Sequence, residues 1–120
     1  MSGQDISLKN IKPENTLGSK FYFEITNVSD SIRVYSVSLE EWADTKGWYE
    51  IKGDVFNYAT AKRTKVFKIT VNSTTKHFFY PSKLIKSTNR HNKYRLKVSY
   101  GKAFNNKSMT IYSQAFIFKN

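Results

Sequence analysis

The side chains that could do chemistry in this 120-residue chain are few and poorly grouped. His77 and His91 are the only imidazoles. With lysines and tyrosines nearby they supply the ingredients of a metal-independent ribonuclease, in which a base and cations stabilise a developing phosphorane. They lack a recognised spacing for that role. A two-histidine zinc site would need carboxylates from a distant acidic segment. That segment, Glu40, Glu41, Asp44, Glu50 and Asp54, contains carboxylate pairs of the kind that act as acid and base or bind calcium. Its spacing is not that of a calcium loop, and Lys46 and Lys52 interrupt it, so it reads as a solvated loop. A Gly-rich phosphate loop, a zinc-protease helix motif and a nucleophile elbow are all absent. With no cysteine, disulfides, thiolate metal sites and cysteine nucleophiles within the chain are excluded. The sequence therefore assigns no catalytic residue, metal ligand or cofactor.

The binding residues are more distinctive. From Val55 to Asn120 there are fourteen basic residues and no Asp or Glu, whereas all nine acids lie in the first 54 residues beside six bases. The two parts sum to −3 and +14, giving the net +11. Strict alternation in Tyr94-Arg95-Leu96-Lys97-Val98 puts Arg95, Lys97 and Lys93 on the outer side of a strand. If the last strand lies alongside, Tyr112 sits beside these cations, and Arg63, Lys65 and Lys68 extend the patch. Cations interleaved with rings can follow phosphates and stack on bases. The same pattern serves as a solvated face that keeps a lysine-rich protein soluble. Trp42, Trp48 and Tyr49 form a second candidate, an aromatic interface near a loop. Burial is the competing expectation for them, since a small domain needs its large rings inside.

These residues need elements to hold them. The chain is 16% aromatic with only five glycines, which points to a β-rich core of Phe and Tyr. Ile6–Ile11 reads as an edge strand after a frayed start over 1–5, and Lys12–Asn15 as a turn. Lys20–Thr26 alternates cleanly, with Phe21, Phe23 and Ile25 on one face, and Asn27–Ser31 reads as a hairpin connection. The next strand runs from Ile32 to about Leu39, with a phase change that calls for a bulge near Val34–Ser36 or burial on both faces. Ser38-Leu39-Glu40-Glu41 has capping-box spacing, but Gly47 follows too soon to favour a helix over a strand running into a loop. Further strands are expected at 48–51, 65–71, 75–80, 94–100 and 109–118. A loop or a short helix opened by Pro81 lies between. In the last strand the inward set is expected to be Met109, Ile111, Ala115 and Ile117, opposite Tyr112, Phe116 and Phe118.

Seven to eight short strands with regular turns define an all-β class, a single antiparallel β-sandwich over residues 1–120. Phe21 to Ile32 resembles the second-to-third strand hairpin of cysteine-free immunoglobulin-like modules, in which an alternating strand ends in Asn before a small polar turn. Tyr94-Arg95-Leu96-Lys97-Val98 is similar to their sixth strand, with a Tyr two residues before the central buried position. The resemblance implies a corner hydrogen bond from Tyr94, and a binding, adhesive or structural role rather than an enzymatic one. The expected function is thus a non-enzymatic module contacting another macromolecule through the cationic surface after Asp54. Its expected partner is an acidic protein, a glycan, anionic lipid headgroups or nucleic acid, and self-association of basic and acidic patches is a further option. A nucleic-acid-binding β protein is the alternative, and a small basic ribonuclease the remote one. No run of apolar residues is long enough to span a membrane, and the composition suits a bacterial surface or a cell interior equally.

Overall fold

Alternation of large apolar and polar side chains carries the chain through ten strands among the described residues. The structure, a computed structural model, describes residues 5–52, 55, 67–85, 92–103 and 109–119. The strands are β1 (Ile6–Lys9), β2 (Glu14–Thr16), β3 (Phe21–Asn27), β4 (Arg33–Ala43) and β5 (Gly47–Lys52), then β6 (Phe67–Ile69), β7 (Thr74–Phe79), β8 (Tyr94–Gly101), β9 (Met109–Tyr112) and β10 (Ile117–Lys119). A three-stranded antiparallel sheet has the order β1-β3-β7. A five-stranded one has the order β5-β4-β8-β9, with β6 also paired to β4. A short parallel pair, β10 with β2, completes the set. The fold is an all-β, immunoglobulin-like sandwich.

The inner faces of both sheets meet in an aromatic core. Phe21 contacts Phe79 and Phe116 at centroid separations of 4.9 and 4.7 Å, and Phe118 at 5.9 Å. From β4 and β8 come Tyr35, Val37, Leu39, Tyr94, Leu96, Val98 and Tyr100, each at most 1% exposed. The sequence places β8 and the Tyr35–Leu39 part of β4 correctly because every second residue there is apolar, and a pleated strand turns alternate side chains to opposite faces.

Several expectations fail for identifiable reasons. Asn27–Ser31 does not join a hairpin, because β3 and β4 belong to different sheets and the turn crosses the sandwich. The phase change in β4 reflects burial on both faces from Arg33 to Tyr35, and the register shift falls at Leu39/Glu40. Ser38–Asp44 forms no helical turn, since β4 continues to Ala43. Glu14–Thr16 is a strand rather than part of a turn, recruited by its parallel partner at the far end of the chain. Val71 lies outside β6 and is exposed.

The last strand is divided in two. β9 pairs Tyr112 with Lys97, but the next bridge joins Tyr94 to Phe116, one residue out of step. The Ser113 hydroxyl takes the Leu96 amide at 2.9 Å where a backbone carbonyl would otherwise sit. This bulge reverses the phase. Beyond it Phe116 and Phe118 are therefore buried and Ala115 exposed, the reverse of expectation, whereas before it Ile111 packs on the core as expected and Met109, though on the same side, is exposed. Pro81 opens a short 3-10 turn, Pro81–Lys83, as its fixed φ favours. Of the frayed start expected over 1–5, residues 1–4 lie outside the described residues, and Asp5 departs from the expectation, being ion-paired to Arg33 at 3.1 Å.

Candidate functional site: the outer face of the five-stranded sheet

Cross-strand register sets this face. Glu40 lies opposite Arg95, Ser38 opposite Lys97, and Lys97 opposite Tyr112 on the next strand, while Trp42 faces Trp48 across the β4–β5 hairpin. Residues directly opposite share a face, so Arg95, Lys97, Tyr112, Trp42 and Trp48 all project outward. The hairpin is a tight turn in which the Lys46 amide donates to the Ala43 carbonyl at 3.1 Å. Gly47 follows at φ +76, left-handed backbone that side-chain-bearing residues rarely adopt. That geometry brings the two tryptophans edge to face, 5.6 Å apart.

Arg95 is the centre of the face. Its Nε donates to Glu40 Oε1 at 2.7 Å. Its guanidinium carbon lies 4.4 Å from the Trp48 ring centroid and 3.8 Å from that of Tyr112. The cation is thus held between two rings and anchored to a carboxylate on a buried side chain. Flat stacking between two rings together with a directed bond from Nε suits a planar guanidinium better than a compact ammonium. Trp42 and Tyr112 remain 40% and 48% exposed beside it. The expectation that large rings go inside fails at Trp42, because the tyrosines and phenylalanines of β3, β4, β7 and β8 already fill the core.

The other predicted residues fall as follows. Lys97 is half-buried next to Tyr112. Lys93 is exposed at the mouth of the same region, and its carbonyl accepts the Trp42 amide at 2.9 Å. Lys68 pairs opposite Val34, six residues along β4 from Glu40 and so roughly 20 Å away. It does not join the cluster. Arg63 and Lys65 lie outside the described residues. Tyr49 turns to the other face, where its hydroxyl donates to Glu41 at 3.0 Å. That bond raises the Tyr49 hydroxyl above its ordinary pKa.

Glu40 was the residue hardest to foresee. Glu40 and Glu41 are 7% and 4% exposed within β4, so they are not part of a solvated loop. Buried carboxylates need partners, and Glu41 accepts from Tyr49, from Tyr94 at 3.4 Å and from the Asn92 side chain. The Tyr94 hydroxyl, raised in pKa mainly by burial, thus bonds the Glu41 carboxylate. The signal for Glu40 was its outward position in β4, in step with Arg95 on a strand it had to neighbour. Asp44 and Glu50 are exposed, and Asp44 accepts the Trp42 indole N–H at 3.0 Å.

His77 is committed to the interior. A 2.6 Å hydrogen bond joins its Nε2 to the Tyr35 hydroxyl, and Phe67 and Phe23 lie 4.9 and 5.4 Å away. Burial lowers its pKa from 6.5 to about 4. Between those values the unfolded chain binds a proton that the native state refuses. Stability is therefore full above pH 6.5 and falls as the pH drops toward 4. After discounting for the partly solvated ring, the loss is on the order of 2 kcal/mol. His77→Gln is expected to flatten this part of the pH profile in urea unfolding relative to the parent chain. His91 lies outside the described residues, and among those residues no cluster of His, Cys, Asp and Glu could hold a metal ion.

No family model and no curated protein matches the sequence. Solved structures do match in fold. A chain from a chaperone–tip adhesin complex vital for activation of CFA/I fimbriae biogenesis is similar over 96% of this chain and 55% of its own, with a TM-score of 0.60 at 12% identity. CfaA, a class 5 fimbriae chaperone, is similar over 94% of this chain and 54% of its own, with a TM-score of 0.59 at 11% identity. The chain spans about half the length of these structures, and at such identity the likeness is one of fold.

Proposed function

We propose that this chain is a non-enzymatic protein-interaction module and that the outer face of the five-stranded sheet is its contact surface. The observation that carries this reading is the Arg95 guanidinium, clasped by Trp48 and Tyr112 and tied to Glu40 on an accessible face. Trp, Tyr and Arg are the side chains that most often dominate binding energy at protein interfaces. Here they are already ordered, so little conformational freedom is lost on contact. The similar chains from a chaperone–tip adhesin complex and a fimbriae chaperone agree with a protein partner.

The charge pattern favours a protein over a nucleic acid. Arg95 is neutralised by Glu40, and Glu50 adds a second carboxylate across β4. The face is therefore mixed in sign, with Lys97 and Lys93 left to meet acidic side chains of the partner. A ribonuclease gains no support from His77, whose ring is half-buried, bonded to the Tyr35 hydroxyl and neutral at pH 7.

The reading is tested by affinity capture with the tagged chain from its source cells, followed by titration of the captured protein. Trp42→Ser and Tyr112→Ser change exposed side chains and are expected to weaken binding by roughly tenfold or more, while Lys12→Glu on another surface leaves it intact. Capture that is abolished by nuclease, or equal affinity for all three variants, contradicts the proposal.

A further inference from the structure

The opposite side of the sandwich carries a second aromatic cluster that the protein-binding face does not use. On the outer face of the three-stranded sheet, Tyr22 of β3 lies opposite Phe78 of β7, with ring centroids 6.0 Å apart. They are 61% and 40% exposed. Tyr80 follows on the same side, its ring edge to face with Phe78 at 6.0 Å. Lysines surround them. Lys20 Nζ lies 4.6 Å over the Phe78 ring, and Lys83 Nζ lies 5.3 Å over that of Tyr80. The next row pairs Glu24 with Lys9 on one side and Lys76 on the other. Glu24 is the one carboxylate in these rows, and it accepts the Asn10 side-chain amide at 2.7 Å.

We propose that this face is a docking surface for an anionic lipid bilayer. Four lysines against one carboxylate give it a strongly positive sign, and the whole chain, at +11, is drawn to a negative surface. Tyrosine and phenylalanine suit the depth at which an apolar body meets hydrated headgroups, while long lysine stems carry their ammonium groups out to the phosphates. The sheet supplies a broad backing that presents the rings and cations side by side. Single-stranded nucleic acid fits less well. It needs open ring faces on which bases can stack, whereas ammonium groups lie over Phe78 and Tyr80 and the Tyr22 and Phe78 rings are inclined by 47°. Because the two faces lie on opposite sheets, a protein could be held on one while the other rests on lipid. Membrane attachment does not depend on the protein-binding reading.

The test is co-sedimentation of the full chain with vesicles of phosphatidylcholine, with and without phosphatidylglycerol. The chain is expected to pellet with the mixed vesicles at low salt and to stay in solution with pure phosphatidylcholine. Lys20→Glu combined with Lys83→Glu lowers the partition coefficient by roughly tenfold or more. Tyr22→Ser with Phe78→Ser removes the fraction that resists salt. Lys102→Glu, an equal charge change at the end of β8, has a much smaller effect than Lys20→Glu alone. All these side chains are exposed, and circular dichroism confirms that each variant is folded. Equal binding to both vesicle types, or equal losses for Lys102→Glu and Lys20→Glu, overturns the proposal. So does tight binding of single-stranded RNA that is lost with Tyr22→Ser and Phe78→Ser.

Discussion

Phe21→Ala is expected to lower the unfolding free energy by about 4 kcal/mol. The ring is 1% exposed and touches Phe23 and Phe79 of its own sheet and Phe116 and Phe118 of the C-terminal segment. Its removal opens a cavity at the junction where β10 leaves the neighbourhood of β8 to pair with β2. A chain of this size has roughly 5–15 kcal/mol in total, so the variant sits near the edge of folding at physiological temperature. Phe21→Leu keeps most of the volume and is expected to cost roughly half as much. Urea midpoints at constant m-value measure both. Equal stability of Phe21→Ala and the parent would mean that the sheets do not meet as described.

Asn27→Ala should be nearly as damaging, at about 3 kcal/mol, although it removes only a small polar group. Asn27 is fully buried at the end of β3. Its side-chain nitrogen donates to the carbonyls of Ser31 at 2.9 Å and Ile69 at 3.1 Å. Its side-chain oxygen accepts from the Ser29 amide at 2.9 Å and the Ser29 hydroxyl at 2.6 Å. One residue therefore closes the turn that crosses the sandwich and ties it to β6. Asn27→Asp separates the two halves of this role. The oxygen contacts survive, but a carboxylate then faces two carbonyl oxygens that had received N–H donors. At neutral pH the Asp variant is expected to be at least as unstable as the Ala variant, with partial recovery on acidification as the carboxyl regains a proton. Thermal melts at two pH values decide this. An Asp variant as stable as the parent would show that the donated bonds carry little weight.

These two residues also mark how far the sequence can be read. Phe21 is legible as core because its strand alternates without interruption, and the same is true of Tyr94, Leu96 and Val98. Asn27 is legible as a turn former, since Asn followed by Ser favours local bonds to its own backbone. Its bond to Ile69, 42 residues away, is not. Local turn chemistry is also the same whether the following strand pairs with the preceding one or crosses to the other sheet, which is why the hairpin expectation failed. The bulge at Ser113–Ala115 is invisible to a period of two, and it alone inverted Phe116 and Phe118.

The charge asymmetry teaches the same lesson about distance in sequence and in space. Acids before residue 55 and bases after it suggested two oppositely charged halves. The strands interleave them instead. Arg95 meets Glu40, Lys119 meets Glu14 at 2.8 Å, and Lys76 lies opposite Glu24. Arg95 and Lys97 were identified from alternation alone, and Tyr112 from the guess that the last strand lay beside them. The sequence reading set Glu40 in a solvated loop and Trp48 in a separate aromatic interface, and so missed that both meet Arg95 and convert a cationic strip into a clasped, partly neutral cluster.

The most direct measurement is site-specific photo-crosslinking in the source cells, with a photoreactive phenylalanine derivative placed at position 42 or 112 on the Trp42–Arg95 face and at position 22 on the opposite sheet. The predicted result is one discrete adduct from positions 42 and 112, destroyed by protease, resistant to nuclease and lost when Arg95→Glu is added, with position 22 giving no adduct of that mass. The same adduct from position 22, or adducts from the Trp42–Arg95 face that persist with Arg95→Glu, would contradict the assignment of this face as the protein-binding surface.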